Sequence, residues 1–69
     1  MDENEKQWLM DIFPQYKATV LRGDNKQQYM KAEQLISGNV TIPECGCQYH
    51  SYQNKVNGLH DQWVKEQNT

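Results

Sequence analysis

Two cysteines and a histidine lie close together in the second half of the chain, as Cys45-Gly46-Cys47 followed by His50. Thiolate and imidazole groups are preferred zinc ligands in tetrahedral sites, so Cys45, Cys47 and His50 form a candidate zinc site. A fourth ligand is the difficulty, because His60 lies about 15 Å farther along a helix and on another of its faces. A zinc-stabilised mini-domain is therefore one alternative, and it requires Glu44 or a second protomer to complete the site.

The favoured interpretation of the same residues involves no metal and no other cofactor. One cysteine packs as a small apolar residue under a loop, while His50 lies on the polar side of a helix. The spacing of the cysteines is too short for an ordinary framework disulfide, and in a reducing compartment both remain thiols. A Cys/His pair can also act as a nucleophile with its base, but no acidic neighbour orients His50 and no phosphate-binding loop is present. We therefore expect a protein that is not an enzyme.

The segment from residue 45 to residue 60 has the composition of a contact surface. Its only formal charge is Lys55, and most of its polar positions carry uncharged side chains. Charged residues are depleted at the centres of protein interfaces, where tyrosine is enriched. The sequence thus predicts that a partner binds here, through Tyr49, Tyr52, Gln53, Lys55 and His60.

Four cations in residues 17–31 define an alternative nucleic-acid site: Lys17, Arg22, Lys26 and Lys31. Affinity for nucleic acid depends on the number of phosphates that clustered lysine and arginine side chains neutralise, and four cations spread over this length make a weak patch. The net charge of the chain is −2, which is also unfavourable. A small nucleic-acid-binding or regulatory domain is consequently the second alternative, and a protein partner is preferred.

Helical spacing of apolar residues predicts an all-α fold, a small bundle of three to four helices with one ordered loop over residues 39–47. Asp2 and Glu5 form a capping-box pattern that begins a helix over residues 3–13. A bend at Pro14 leads into a short helix with Tyr16, Val20 and Leu21. A third helix over residues 25–37 is capped by Asp24 and ends at Gly38. The last helix, from residue 47 or 48, carries the seam of Tyr49, Tyr52, Val56, Leu59 and Trp63 at spacings typical of helix packing.

The length of 69 residues indicates a single domain, residues 1–69, that buries only about 60% of the surface its unfolded chain exposes. Such a domain has thin stability, so we expect a weak monomer or a homodimer formed through the seam of the last helix. No apolar run approaches a membrane span, and the acidic N-terminus is unlike a signal peptide. These features predict a cytoplasmic protein that does not interact with membranes.

Residues 29–63 resemble small uncharacterised proteins of tailed bacteriophages, including crAss-like phages. The similarity lies in Tyr29, Ala32, Leu35-Ile36 and Gly38, in Ile42-Pro43 with Cys45-Gly46-Cys47, and in Val56, Leu59 and Trp63. The resemblance implies a setting in the host cytoplasm or in a virion. With the composition of the last helix, it predicts a non-catalytic protein-interaction module, a phage accessory protein that acts in the virion or on a host protein.

Overall fold

A computed structural model describes residues 1–67, which form helices and no strand, and this confirms the predicted all-α class. The elements in chain order are α1 (Glu3–Gln7), a π-helical segment (Trp8–Ile12), α2 (Phe13–Lys17), α3 (Lys26–Ser37), a 3-10 turn (Gly46–Gln48) and α4 (Tyr49–Gln67). Helix α3 packs against α2 and α4. Within residues 1–67, no helix is both long and apolar enough to cross a membrane.

The first helical rod is longer than predicted because it continues through Pro14. Its start is confirmed: Asp2 accepts from the Glu5 backbone N–H at 2.8 Å, and the Glu5 side chain accepts from the Asp2 N–H at 3.0 Å. Proline removes a backbone donor and crowds the carbonyl four residues earlier. Here the wider π turn precedes Pro14, and the Phe13 N–H bonds to the Trp8 carbonyl instead. The helix therefore accommodates the proline rather than bending into a separate helix.

The predicted short helix over Tyr16, Val20 and Leu21 is wrong, because α2 ends at Lys17 and an irregular segment follows. The capping role predicted for Asp24 is also wrong. Asn25 precedes α3, and its side chain accepts from the Arg22 N–H at 2.6 Å and donates to the Val20 carbonyl at 3.0 Å. These bonds support the irregular segment, whose own backbone groups lack helical partners.

Helix α3 ends where predicted, at Gly38, which has a φ of 82° in the left-handed region. Its N–H bonds back to the Gln34 carbonyl at 2.9 Å, closing the last turn. Glycine suits this position because side chains with a Cβ are strained there. The predicted loop follows, and the 3-10 turn Gly46–Gln48 separates it from α4.

Aromatic side chains organise the core. Phe13 is fully buried, with ring centroids 5.4 Å from Tyr29 and 5.0 Å from His60, both in edge-on arrangements that aromatic pairs favour. Trp63 is buried as predicted, while Trp8 is partly buried against the Phe13 ring. The buried apolar residues are Leu9, Phe13, Leu21, Tyr29, Ala32, Tyr52, Val56 and Trp63.

The seam predicted on α4 is rotated in the structure. Its buried positions are Tyr52, Val56, His60 and Trp63, so His60 rather than Leu59 faces the other helices. Leu59 is only partly buried. Gly58 is exposed, and a Cβ there would have no neighbour within 4 Å. Gly58 therefore does not mark a close approach between helices.

Candidate functional site: a groove over a buried carboxylate

A buried carboxylate lies between α3, the loop and α4. Glu33 is 1% exposed, and its oxygens accept from the Thr41 N–H at 2.8 Å, the Thr41 hydroxyl at 2.6 Å and the Tyr52 hydroxyl at 2.7 Å. The Lys55 ammonium, half-exposed, forms an ion pair with Glu33 at 3.1 Å and donates to the Thr41 hydroxyl at 2.6 Å. Three separate parts of the chain are thus joined through one side chain.

The protonation states of this network follow from its hydrogen bonds. Burial raises the pKa of Glu33, but donors from Thr41, Tyr52 and Lys55 outweigh burial and lower the pKa to about 2. Burial, together with the bond to the Glu33 carboxylate, raises the pKa of Tyr52. At neutral pH, Glu33 is therefore ionised and Tyr52 is a neutral donor.

Above this network is a groove of about 440 Å³, lined by Thr41, Pro43, Gln48, Ser51, Tyr52 and Lys55. The loop supplies one wall and the first turns of α4 supply the other. Two of the three N–H groups of Lys55 are accounted for by Glu33 and Thr41. A third N–H, together with the Gln48 amide and the Ser51 hydroxyl, can donate to a bound group. The groove therefore combines hydrogen-bond donors with the apolar surfaces of Pro43 and Tyr52.

The two cysteines beside the groove are joined as a disulfide, which corrects the expectation of two free thiols. Their Cα atoms are 5.3 Å apart, within the usual range for a disulfide, because Cys45 is extended and Gly46 begins a tight turn. Both cysteines are exposed, which contradicts the prediction that one of them packs beneath the loop.

The structure does not gather Cys45, Cys47 and His50 into a zinc site. Zinc binds cysteine as thiolate, which a disulfide does not offer. Across residues 1–67, no three acidic, histidine or cysteine side chains are placed together as metal ligands. His50 is exposed and its Nε2 lies 3.4 Å from the Asn54 amide nitrogen.

Several residues of the contact surface predicted on α4 face the interior of the fold instead. Tyr52 is 4% exposed and His60 is 3% exposed, so neither is available to a partner in this fold apart from the Tyr52 edge that lines the groove. Gln53 donates to the Thr19 carbonyl at 2.8 Å and accepts from the Leu21 N–H at 3.0 Å. Of the predicted contact residues, Lys55 is exposed and Tyr49 is half-buried.

His60 is a structural residue whose two ring nitrogens both have partners. Nε2 lies 2.6 Å from the Leu9 carbonyl, which only accepts, so Nε2 carries the proton. Nδ1 accepts from the Lys17 ammonium at 3.1 Å, which requires a neutral ring. Burial lowers the pKa of His60, the Leu9 bond opposes this, and the Lys17 charge lowers it further, while Asp61 raises it.

The four cations of the alternative nucleic-acid site do not form one patch. Lys17 pairs with Asp61 as well as with His60, and Lys31 lies 4.3 Å above the Trp8 ring. Arg22 is exposed in the irregular segment, and Lys26 is partly buried at the start of α3. Two of the four cations interact with other side chains of the same chain. Fewer positive charges are therefore available to bind phosphates than the sequence spacing indicates.

Glu33 was absent from the sequence-based candidates, although its position carries a signal. Tyr29, Ala32, Glu33 and Ile36 follow the spacing of the buried face of a helix, which places an acidic residue among core positions. His60 likewise falls four residues after Val56 on the buried face of α4. A polar side chain at core spacing is the signal that would have identified Glu33 and His60 as buried residues.

Comparison of the chain with protein-family models, with curated proteins and with solved structures gives no match.

Proposed function

We propose that this chain is a non-catalytic protein-interaction module that binds a segment of a partner in the groove between the loop and α4. The observation that carries the proposal is the composition of the groove, which joins exposed donors to apolar surface over a network that is already ordered. A site held in place before binding loses little conformational entropy when a partner arrives.

The charges of the groove favour a neutral, acceptor-bearing partner segment. The positive charge of Lys55 is balanced by the buried Glu33 carboxylate, so the groove has little net field to attract a free anion. The donors of Lys55, Gln48 and Ser51 suit backbone carbonyls instead. An extended stretch of polypeptide supplies such carbonyls together with side chains for Pro43 and Tyr52.

Protonation in the groove supports a binding role over catalysis. A general acid or base works best with a pKa near the operating pH. The pKa of Glu33 is about 2 and that of Tyr52 is raised above its ordinary value, so neither group exchanges protons readily near neutral pH. The same network that orders the groove thus keeps Glu33 ionised and Tyr52 neutral near neutral pH.

A stable partner would cover more than the groove. Standard interfaces bury about 800 Å² on each side, a substantial fraction of the 4581 Å² exposed by this chain. Among the residues that line the groove, Gln48 and Ser51 are exposed, polar and uncharged, as expected at the rim of such a contact. In keeping with the resemblance to tailed-phage proteins, we propose a virion or host protein as the partner.

The test compares capture by three tagged forms of the chain from cells that express it. Ser51→Arg places a large charged side chain at an exposed groove position, whereas Gln62→Arg makes a matched change about 16 Å farther along α4. A protein retained by the native chain and by Gln62→Arg, but lost with Ser51→Arg, is then purified and its binding is measured by calorimetry. Equal capture by all three forms would contradict binding in the groove.

Self-association is tested separately by sedimentation of the purified chain. A dimer that persists in Ser51→Arg uses another surface, and a dimer that dissociates in this variant makes a second copy the occupant of the groove. A compact monomer at all concentrations leaves only a different protein as the partner.

A further inference from the structure

The Cys45–Cys47 disulfide lies on the surface of the protein, where small thiols in solution can reach it. Both cysteines are exposed, and neither belongs to the buried core or to the partly buried residues packed on it. Exposed disulfides are more readily reduced than the buried ones that hold folds together, and they are commonly regulatory or catalytic. A small thiol can therefore approach either sulfur without any opening of the core.

The bond joins residues on either side of a single glycine, so it restrains very little of the chain. The entropic effect of a disulfide on the unfolded state grows with the length of the loop that it closes, and this loop is about as short as loops can be. The anchors of the surrounding loop do not use the sulfur–sulfur bond: Thr41 is held by Glu33, and the Gln48 N–H bonds to the Cys45 carbonyl at 3.0 Å. Reduction should consequently leave the helices and the Glu33 network in place.

We infer that Cys45 and Cys47 form a reversible thiol–disulfide exchange site for low-molecular-weight thiols of the glutathione class. The thiolate of one such molecule attacks a cysteine sulfur, the protein disulfide breaks, and the other cysteine leaves as a thiolate that takes up a proton. A second thiol attacks the mixed disulfide, releasing the oxidised small molecule and the second cysteine thiol. Two thiols are thereby oxidised to one disulfide, and their two electrons and two protons reduce the protein pair. The reverse sequence reoxidises it.

The site lies where its oxidation state can alter the groove locally. In the chain, Cys45 and Cys47 lie between Pro43 and Gln48, which both line the groove. The Cys47 N–H donates to the Cys45 sulfur at 3.4 Å. Reduction of the disulfide frees the 3-10 turn to rearrange, while α4 still begins at Tyr49. The exchange reaction itself requires no partner, so it stands or falls independently of the proposed function.

The experiment equilibrates the full chain with mixtures of reduced and oxidised glutathione, then quenches the samples with acid, alkylates free thiols and measures mass. We expect the pair to pass from nearly all bridged to nearly all doubly alkylated across the series, and to return when the ratio is reversed. Cys45→Ser and Cys47→Ser, which each lack the resolving thiol, should each hold one glutathione as a mixed disulfide at the oxidising end of the series. The double variant should show no change in mass at any ratio.

Circular dichroism and amide NMR spectra of the two end states test whether the fold survives. The expected result is equal helical content, with shift changes confined to residues 39–48 and the first turn of α4. Loss of helical content on reduction would overturn the inference, because the bond would then be a structural one. A pair that stays reduced in oxidised glutathione, or stays bridged in a large excess of reduced glutathione, would also overturn it.

Discussion

Replacement of Glu33 by glutamine removes one negative charge from the centre of the network while nearly preserving the shape of the side chain. The amide oxygen of glutamine can still accept from the Thr41 N–H and the Tyr52 hydroxyl. The amide nitrogen then occupies the place of the oxygen that faces the Thr41 hydroxyl and the Lys55 ammonium. Because an NH₂ group donates, it cannot accept from Lys55, and that charged partner is lost.

The magnitude of the effect follows from the proton affinity of Glu33. Folding lowers its pKa from an ordinary value of 4.5 to about 2. At about 1.4 kcal/mol for each tenfold change in proton affinity, the ionised carboxylate contributes on the order of 3 kcal/mol at neutral pH. For a domain of this size, Glu33→Gln should lower the Tm by roughly 12–24 °C.

The sign of the pH dependence provides a second measurement on the same protein. A carboxyl group whose pKa is lower in the folded state stabilises that state above its unfolded pKa. The native chain should therefore lose this contribution as the pH falls from about 4.5 to about 2. In Glu33→Gln the contribution is absent throughout, so the two stability curves should converge in acid.

Urea unfolding followed by circular dichroism across this pH range measures both effects. Glu44→Gln is the matched control, since it makes the same chemical change at an exposed position of the loop. The control should stay within about 0.5 kcal/mol of the native chain, as surface substitutions usually do. An equally small effect for Glu33→Gln, with the acid dependence retained, would refute the role assigned to the Glu33 network.

Three further predictions concern the core and the helices. Trp63→Ala should destabilise the fold by about 3–5 kcal/mol in urea unfolding, because Trp63 is only 8% exposed; an unchanged midpoint would contradict its burial. Gly58→Ala should raise the free energy of unfolding by about 0.5–1 kcal/mol, because alanine favours the helix. Gly38→Ala should lower it by about 1 kcal/mol, because Gly38 has a positive φ. Equal effects of the two substitutions would contradict this difference. The pKa of His60 is lowered on folding, so the neutral ring stabilises the fold fully above about pH 6.5 and less as the pH falls below that value. In unfolding measurements across this pH range, His60→Gln should abolish the decline and His50→Gln should not.

Local sequence patterns were enough to predict the helical class, the capping box at Asp2, the end of α3 at Gly38 and the position of the loop. These features depend on interactions between residues close together in the chain. The side chains of a capping box and the glycine at the end of a helix pair the terminal backbone groups of that helix locally, without contacts from the rest of the protein. Periodicity similarly identified Val56 and Trp63 as buried, since apolar side chains at helical spacing share a face.

The roles of the polar residues at core spacing depend on contacts between helices and loops that are far apart in the chain. Glu33 can be buried because Thr41, Tyr52 and Lys55 bring donors to it from the loop and α4. His60 can be buried because the Leu9 carbonyl, from the far end of the chain, accepts from its ring. An unpartnered polar group in a core costs free energy, and whether it finds a partner depends on residues distant in sequence, which local spacing does not reveal. The groove has the same origin, because its two walls become neighbours only when the loop is anchored to Glu33.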